Sequence, residues 1–395
     1  MAWRAVAVAV LIGTAVGGGV PVAVGGDAAC RVTNVRTGEV GAGLAAALER
    51  AAPGDTLTVA GTCPAGVSLA REVTLAADAA DPAAPATLVP ERRGATLVVG
   101  AQATVTVSGL TIVGGAGETC FRVLRCGGAI HVSGTLSLMD TVVDGGRGKL
   151  GGALYLRRGT TTLSGSTTVA GGRALVGGGA YVEDRATLVL ADAAAIAGNS
   201  ASDSGGGVQL FGELYLSGTA AIRDNSTRAV GGGGVYLERG RLGLVGSSTI
   251  AANRARRGGG IYALSGIVQV GEAASLAGNT ADAQGGGAFL DTVLELRGTA
   301  RIDGNVAGSA GGGVFGGPNL ILSLFEDASI VGNRAATGGG VYDRGVIGME
   351  GSATITGNTA DAGAGVWFDL GILTGPYCGR AIRENVTQDC NLDEG

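Results

Sequence analysis

The chain has 395 residues, 77 of them Gly. It is 46% hydrophobic and 4% aromatic, with a formal net charge of −5. That aliphatic content excludes Gly-rich disorder, and Gly without a strict three-residue period excludes collagen. The acidic balance leaves no basic footprint for nucleic acid.

The first residues predict a secretory signal over 1–29, with Arg4 as the positive region, Ala5 to Val16 as a short apolar run and a small-residue exit. The run is too short to span a bilayer comfortably, and no other segment reads as transmembrane. Asp27-Ala-Ala-Cys30 ends like a lipoprotein box, but Asp stands where an apolar residue is needed. Export implies an oxidising compartment in which the six cysteines form disulfides. Six cysteines allow 15 pairings. Proximity favours Cys30 with Cys63, Cys120 with Cys126, and Cys378 with Cys390.

Residues 30–126 predict a cap followed by irregular coils. Leu44, Ala47, Leu48 and Ala51 share one helical face, and Pro53-Gly54-Asp55 ends that helix. Strands follow at Thr56–Val59, Val73–Leu75, Thr96–Val99, Thr104–Val107 and Leu110–Val113. A helical lid would cover the open edge of the first coil, and the Cys378 to Cys390 loop would close the other end.

From Gly127 to residue 390 the chain repeats about every 26 residues, the mark of a solenoid. One unit runs from Ile250-Ala-Ala-Asn253 into Gly258-Gly-Gly-Ile-Tyr262. The residue after the Gly run and first aliphatic forms a column: His131, Tyr155, Tyr181, Gln209, Tyr236, Tyr262, Phe289, Phe315, Tyr342 and Trp367. Aliphatic flanks give it period two, hence a strand with its aliphatics inward. A second strand alternates in the same way, as in Leu188-Val-Leu190 and Leu242-Gly-Leu244. A third centres on Ile196, Ile222, Ile250, Leu276, Ile302, Ile330, Ile355 and Ile382. Three residues beyond each sits Asn199, Asn225, Asn253, Asn279, Asn305, Asn333, Asn358 or Asn385. Eight of the chain's eleven Asn fall in this one column. The expected fold is therefore all-β: a right-handed parallel β-helix with three short strands per coil, an Asn ladder and an N-terminal capping helix. Asn would take left-handed backbone angles at the turn, and its side chains would hydrogen-bond up the stack. Gly145 and Gly172 occupy the Asn position of the first two coils, so the ladder starts late. Residues 391–395 form a short tail.

These residues resemble the secreted right-handed β-helices of the pectin-lyase-like superfamily. The repeat is most similar to the polymorphic outer membrane protein repeat, whose marks are Gly-Gly-Ala-Ile and Phe-x-x-Asn. Gly127-Gly-Ala-Ile130 matches the first, and Ile302-Asp-Gly-Asn305 matches the second with Ile for Phe. The stretch Ala51-Ala-Pro-Gly-Asp-Thr-Leu-Thr-Val-Ala-Gly-Thr-Cys63 resembles the opening of many exported β-helix proteins. The resemblance covers most of the mature chain and implies a surface adhesin or passenger. No C-terminal barrel strand is read, so self-transport through an outer membrane is not expected.

Two roles fit the column Tyr155, Tyr181, Tyr236, Tyr262, Phe289, Phe315, Tyr342 and Trp367. It could be a platform for sugar rings, or a ring ladder that stabilises the rod by ~0.5–1.5 kcal/mol per pair, the plainer role. Partial cover by the turns is a third possibility. A lyase would need carboxylates on adjacent coils to hold Ca²⁺ and a basic residue. In the next outward column the acids Glu183, Glu238, Asp291 and Asp369 never fall on neighbouring coils. Asp140, Asp144 and Arg147, with Lys149 nearby and His131 one strand earlier, form the densest ionisable cluster; solvated turn charges are the plainer account. His131 is the single His and fits as one more ring. No metal site, cofactor or phosphate loop is read. Asn225-Ser-Thr and Asn385-Val-Thr match glycosylation sequons but belong to the ladder. The expected function is a secreted or cell-surface monomeric scaffold, non-catalytic, binding a polysaccharide or a partner cell. The alternative is a lyase or hydrolase of an acidic polysaccharide, by analogy alone.

Overall fold

The computed structural model describes residues 29–79, 86–91, 94–120, 124–229, 231–369, 372–374 and 382–385. The predicted signal segment up to residue 28, Cys378 and Cys390 lie outside them. The chain winds into a parallel β-solenoid of about 11 turns with a single short helix. A central coil consists of strands Val235–Leu237, Arg241–Leu244, Thr249–Ala251 and Arg254–Arg257. Corresponding strands of successive coils pair in parallel and form stacks.

Period-two alternation sets each register. Tyr236 pairs with Gln209 on one side and Tyr262 on the other, Leu242 with Leu214 and Val268, and Ile250 with Ile222 and Leu276. A one-residue slip would turn every aliphatic outward, so the register is strongly specified. The inward aliphatics of the three stacks merge into one continuous core from Val32 to Ile382. A fourth, shorter stack, which the sequence reading lacks, follows the Asn: Ser200–Ser204, Ser226–Thr227, Arg254–Arg257, Thr280–Gln284 and Val306–Ala307. The stacks reach back before Gly127: Leu97–Val99 pairs with Ile130–Val132, and Thr111–Gly114 pairs with Val142–Gly145.

In most coils a short break separates the first two strands. Two coils replace it with single 11-residue strands, Leu154–Ser164 and Ala180–Leu190, which carry both stacks around the bend.

The N-terminal end is closed as expected. Helix Leu44–Arg50 buries Leu44 and Ala47, and Leu48 packs on the core edge. Strand Arg31–Asn34 pairs antiparallel with Thr56–Ala60, so the first edge is covered by chain running the other way. Asp55 ties the cap together. Its carboxylate accepts hydrogen bonds from Asn34 Nδ2 at 2.7 Å, Arg36 Nε at 2.5 Å and the backbone N–H of Ala52 at 2.8 Å. The bond from Arg36 first, then that from Asn34, holds this carboxyl well below the usual range. Disulfides join Cys30 to Cys63 and Cys120 to Cys126, the second clasping the hairpin Glu118–Cys120 and Leu124–Cys126.

The Asn column is a continuous hydrogen-bonded ladder. Asn279 Oδ1 accepts from Asn253 N and Nδ2, both at 3.0 Å. Its own Nδ2 donates to Ile250 O at 2.9 Å and to Asn305 Oδ1 at 3.0 Å. The late start is as expected, with the Gly172 N–H donating to Asn199 Oδ1. Contrary to expectation, the Asn does not itself take the left-handed angles. Left-handed angles fall on the residue before it: Gly198, Asp224, Ala252, Gly278, Gly304, Gly332, Gly357 and Glu384. That residue makes the reversal, leaving the Asn side chain free to turn along the stack. Asn is selected for its amide, which has a donor and an acceptor to match both neighbouring coils.

The Gly runs are selected for two further reasons. The Gly three residues before each first-stack strand has positive φ, as at Gly258 with +57° and Gly232 with +68°. At the Gly just before the strand there is no room for a side chain. A Cβ on Gly234 would stand 2.9 Å from both Asn253 Nδ2 and Ile250 Cγ2.

Candidate ligand-binding face

The aromatic column stacks as one ladder, broken at Gln209. Tyr236, Tyr262, Phe289, Phe315 and Tyr342 follow one another with centroids 4.6–5.1 Å apart and planes within 12°. Gln209 is buried and bonds to Ser204 Oγ at 2.9 Å. The rings face outward, yet Tyr155, Tyr236, Tyr262 and Phe315 are buried, while Tyr181, Phe289, Tyr342 and Trp367 are half-buried. The chain entering the Gly runs at Gly231 and Gly258 passes over the ring of the next coil. A Cβ on Gly231 would meet Tyr262 Cδ2 at 2.6 Å, and the Arg257 guanidinium lies 5.8 Å over Phe289. Burial accordingly pushes the phenols of Tyr155, Tyr181 and Tyr236 up from their ordinary range.

The ionisable candidates occupy different parts of the coil. His131 heads the aromatic column and meets Tyr155 edge-on at 4.9 Å. Its Nδ1 is buried without a hydrogen-bond partner among the described residues, and burial, aided by Arg157, pulls its pKa down against the pull of Glu118. Asp140 sits in the corner after the second stack with φ +50°. Its Oδ1 accepts from the Ser166 N–H at 2.9 Å and hydroxyl at 3.0 Å, which lowers its pKa. Asp144 lies on the third stack between Val113 and Ala170, and Arg147 bridges to Arg173 beyond it. No hydrogen bond or ion pair links any two of His131, Asp140, Asp144 and Arg147. Among the described residues, no three His, Cys, Asp or Glu side chains are placed to hold a metal ion.

One acid stands where an aliphatic belongs. Asp343 occupies the inward position held by Leu237, Ala263 and Leu290 in earlier coils and by Phe368 in the next. It is fully buried. Oδ1 accepts from the Gly345 N–H at 3.0 Å, and Oδ2 has no hydrogen-bond partner among the described residues. Burial pushes its pKa up to about 6.

The outward face of the second stack carries a feature that sequence reading missed. Its column runs Val189, Tyr215, Gly243, Gln269, Glu295 and Ser323. Two residues further along each strand, a parallel column runs Ser217, Val245, Gly271, Arg297 and Phe325. Gly243 and Gly271 remove one side chain from each column and open a groove of about 300 Å³. The Tyr215 ring leans over the Gly243 backbone, where a Cβ would stand 2.9 Å from its Cδ1. Val245, 43% exposed, supplies an aliphatic wall. Gln269 Nε2 donates to Glu295 Oε2 at 3.0 Å, Glu295 pairs with Arg297 at 3.6 Å, and Arg297 lies 4.1 Å over the Phe325 ring. The available signal was the Tyr and Gly at equivalent positions of Leu214-Tyr-Leu216 and Leu242-Gly-Leu244. Read as strands, these segments gave no sign that the ring tilts into the gap.

Comparison with family models, curated proteins and solved structures returns no match.

Proposed function

We propose that this chain is an exported, non-catalytic β-solenoid scaffold that binds a polysaccharide along the outer face of its second stack. The carrying observation is the groove over Gly243 and Gly271. Ligand sites combine apolar walls with a few placed polar groups, and this groove sets the Tyr215 ring and Val245 beside Gln269, Glu295 and Arg297. An aromatic face suits the apolar side of a sugar ring, and an amide and a carboxylate suit its hydroxyls. The carboxylate is already matched by Gln269 and Arg297, which favours an uncharged sugar. Two disulfides accord with life in an oxidising compartment.

The test is affinity electrophoresis of the full chain in gels containing neutral polysaccharides. At least one polymer should retard it. Tyr215→Ala, and separately Gly271→Val to fill the gap at a position where a Cβ meets nothing nearer than 3.9 Å, should weaken that binding by roughly tenfold with little change in melting temperature. Unchanged retardation of both variants, or no retardation by any neutral polymer, would overturn the groove reading. Mass spectrometry of the polymers after incubation, with and without Ca²⁺, should find no shortened or unsaturated oligosaccharides. Finding them would overturn the non-catalytic reading and favour the lyase or hydrolase.

A further inference from the structure

A second crevice, of about 230 Å³, lies where the two 11-residue strands round the bend. Arg157, Arg158, Glu183, Asp184 and Arg185 line it. Arg158 and Arg185 are direct register partners on adjacent strands. Like charges directly opposite are destabilising. The register shifts between Leu156 and Arg158, so Arg157 stands opposite Glu183 and Asp184. Such irregularities re-aim side chains and are frequent beside functional sites.

Neither acid of the crevice forms an ion pair with these three arginines: Asp184 pairs with Arg239, and Glu183 keeps its charge while accepting a phenol. Glu183 Oε1 accepts the hydroxyl of buried Tyr155 at 2.5 Å. Both oxygens of Asp184 accept from Arg239 Nη2 at 2.7 Å. Arg239 comes from two coils further on, and its guanidinium lies 5.2 Å over the Phe211 ring. The guanidiniums of Arg157, Arg158 and Arg185 make no ion pair or hydrogen bond among the described residues. An acidic protein thus lines one crevice with three arginines that form no ion pair among the described residues.

We propose that this crevice binds a phosphate group. A phosphate carries about −1.5 to −2 charge and three strong acceptor oxygens. Guanidinium forks match such an oxyanion in charge and geometry. A carboxylate is satisfied by a single fork and would leave two of the three cations unmatched. The proposal does not rest on the neutral-sugar groove, which lies on later coils and takes different chemistry. The source is either free phosphate or phosphate borne on a polymer.

Isothermal titration calorimetry of the full chain would use inorganic phosphate, dextran phosphorylated on its hydroxyls, and carboxymethyl dextran of matched charge density. Phosphorylated dextran should bind. Arg158→Gln with Arg185→Gln should weaken that binding at least about tenfold without lowering the melting temperature, since it removes a like-charge pair. Asp184→Asn should tighten it, because it removes an opposing charge, and Arg301→Gln, on the third stack, should leave it unchanged. Displacement of the dextran by inorganic phosphate would support a site for the ion itself, and resistance to displacement would support polymer-borne groups. Equal binding of carboxymethyl dextran, or full binding by the double variant, would overturn the proposal.

Discussion

The Asn corner and the outer face of the second stack are made by the same coils, yet one repeats a single residue while the other changes at every step. At the corner, each amide must match the coil before and the coil after, so any other side chain breaks two sets of hydrogen bonds. On the outer face, Tyr215, Gly243, Gln269 and Glu295 succeed one another in register because no stacking rule binds them. In a solenoid each repeat contacts only its neighbours. Repetition therefore marks the columns that hold the rod together, and variation marks the surfaces free to recognise something else.

The aromatic column tests that division most severely, since it repeats like the ladder but faces outward. Tyr236→Ala with Tyr262→Ala should cost about 5 kcal/mol, because both rings are buried and stacked. Equilibrium unfolding in guanidinium reads the loss. A variant of unchanged stability that has lost polysaccharide binding would move the column to the recognition side. Asn279→Ala should cost about 4 kcal/mol, because it strands the Asn253 N–H and Nδ2 inside the corner and removes two further bonds. Urea unfolding that coincides with wild type would show that the ladder is ornamental.

Asp343 sharpens the comparison from inside the core, where a carboxyl follows Gly316 in a column that is otherwise apolar. Its carboxyl titrates at about 6 when folded, against 3.8 for the free group, so the folded chain holds the proton more tightly. The contribution is complete below about pH 4 and is lost as pH rises through about 6. At about 1.4 kcal/mol per unit this amounts to about 3 kcal/mol. Denaturant unfolding from pH 4 to pH 8 should show the decline, and Asp343→Asn should remove it. The cap titrates in the opposite sense. Asp55 is depressed, so its contribution is present above about pH 4 and fades only in stronger acid.

Much of the fold was legible because it rests on local, repeated signals. The columns centred on Tyr236, Leu242 and Ile250 could be aligned by eye, and each proved to be a register column. The capping helix showed in the spacing of Leu44, Ala47 and Leu48. The candidate site was largely illegible. Asp140, Asp144, Arg147 and His131 are close in sequence, but a coil of four strands points nearby residues in different directions. Tyr215, Gly243, Gln269, Glu295 and Arg297 are 26 to 28 residues apart from one coil to the next and form a surface only once stacked.

The sequence by itself determined the period, the inward and outward sense of each strand, the Asn ladder and the closed N-terminal end. Alternation and capping act within a few residues, and repetition copies them from coil to coil. Only the tertiary structure decided that the left-handed residue precedes the Asn, that the outward rings are roofed by the neighbouring coil, and that Tyr215 leans over Gly243. It also decided that Arg239 takes Asp184 away from the arginines beside it. Each of these depends on what an adjacent coil places against a side chain, which spacing along one coil does not encode.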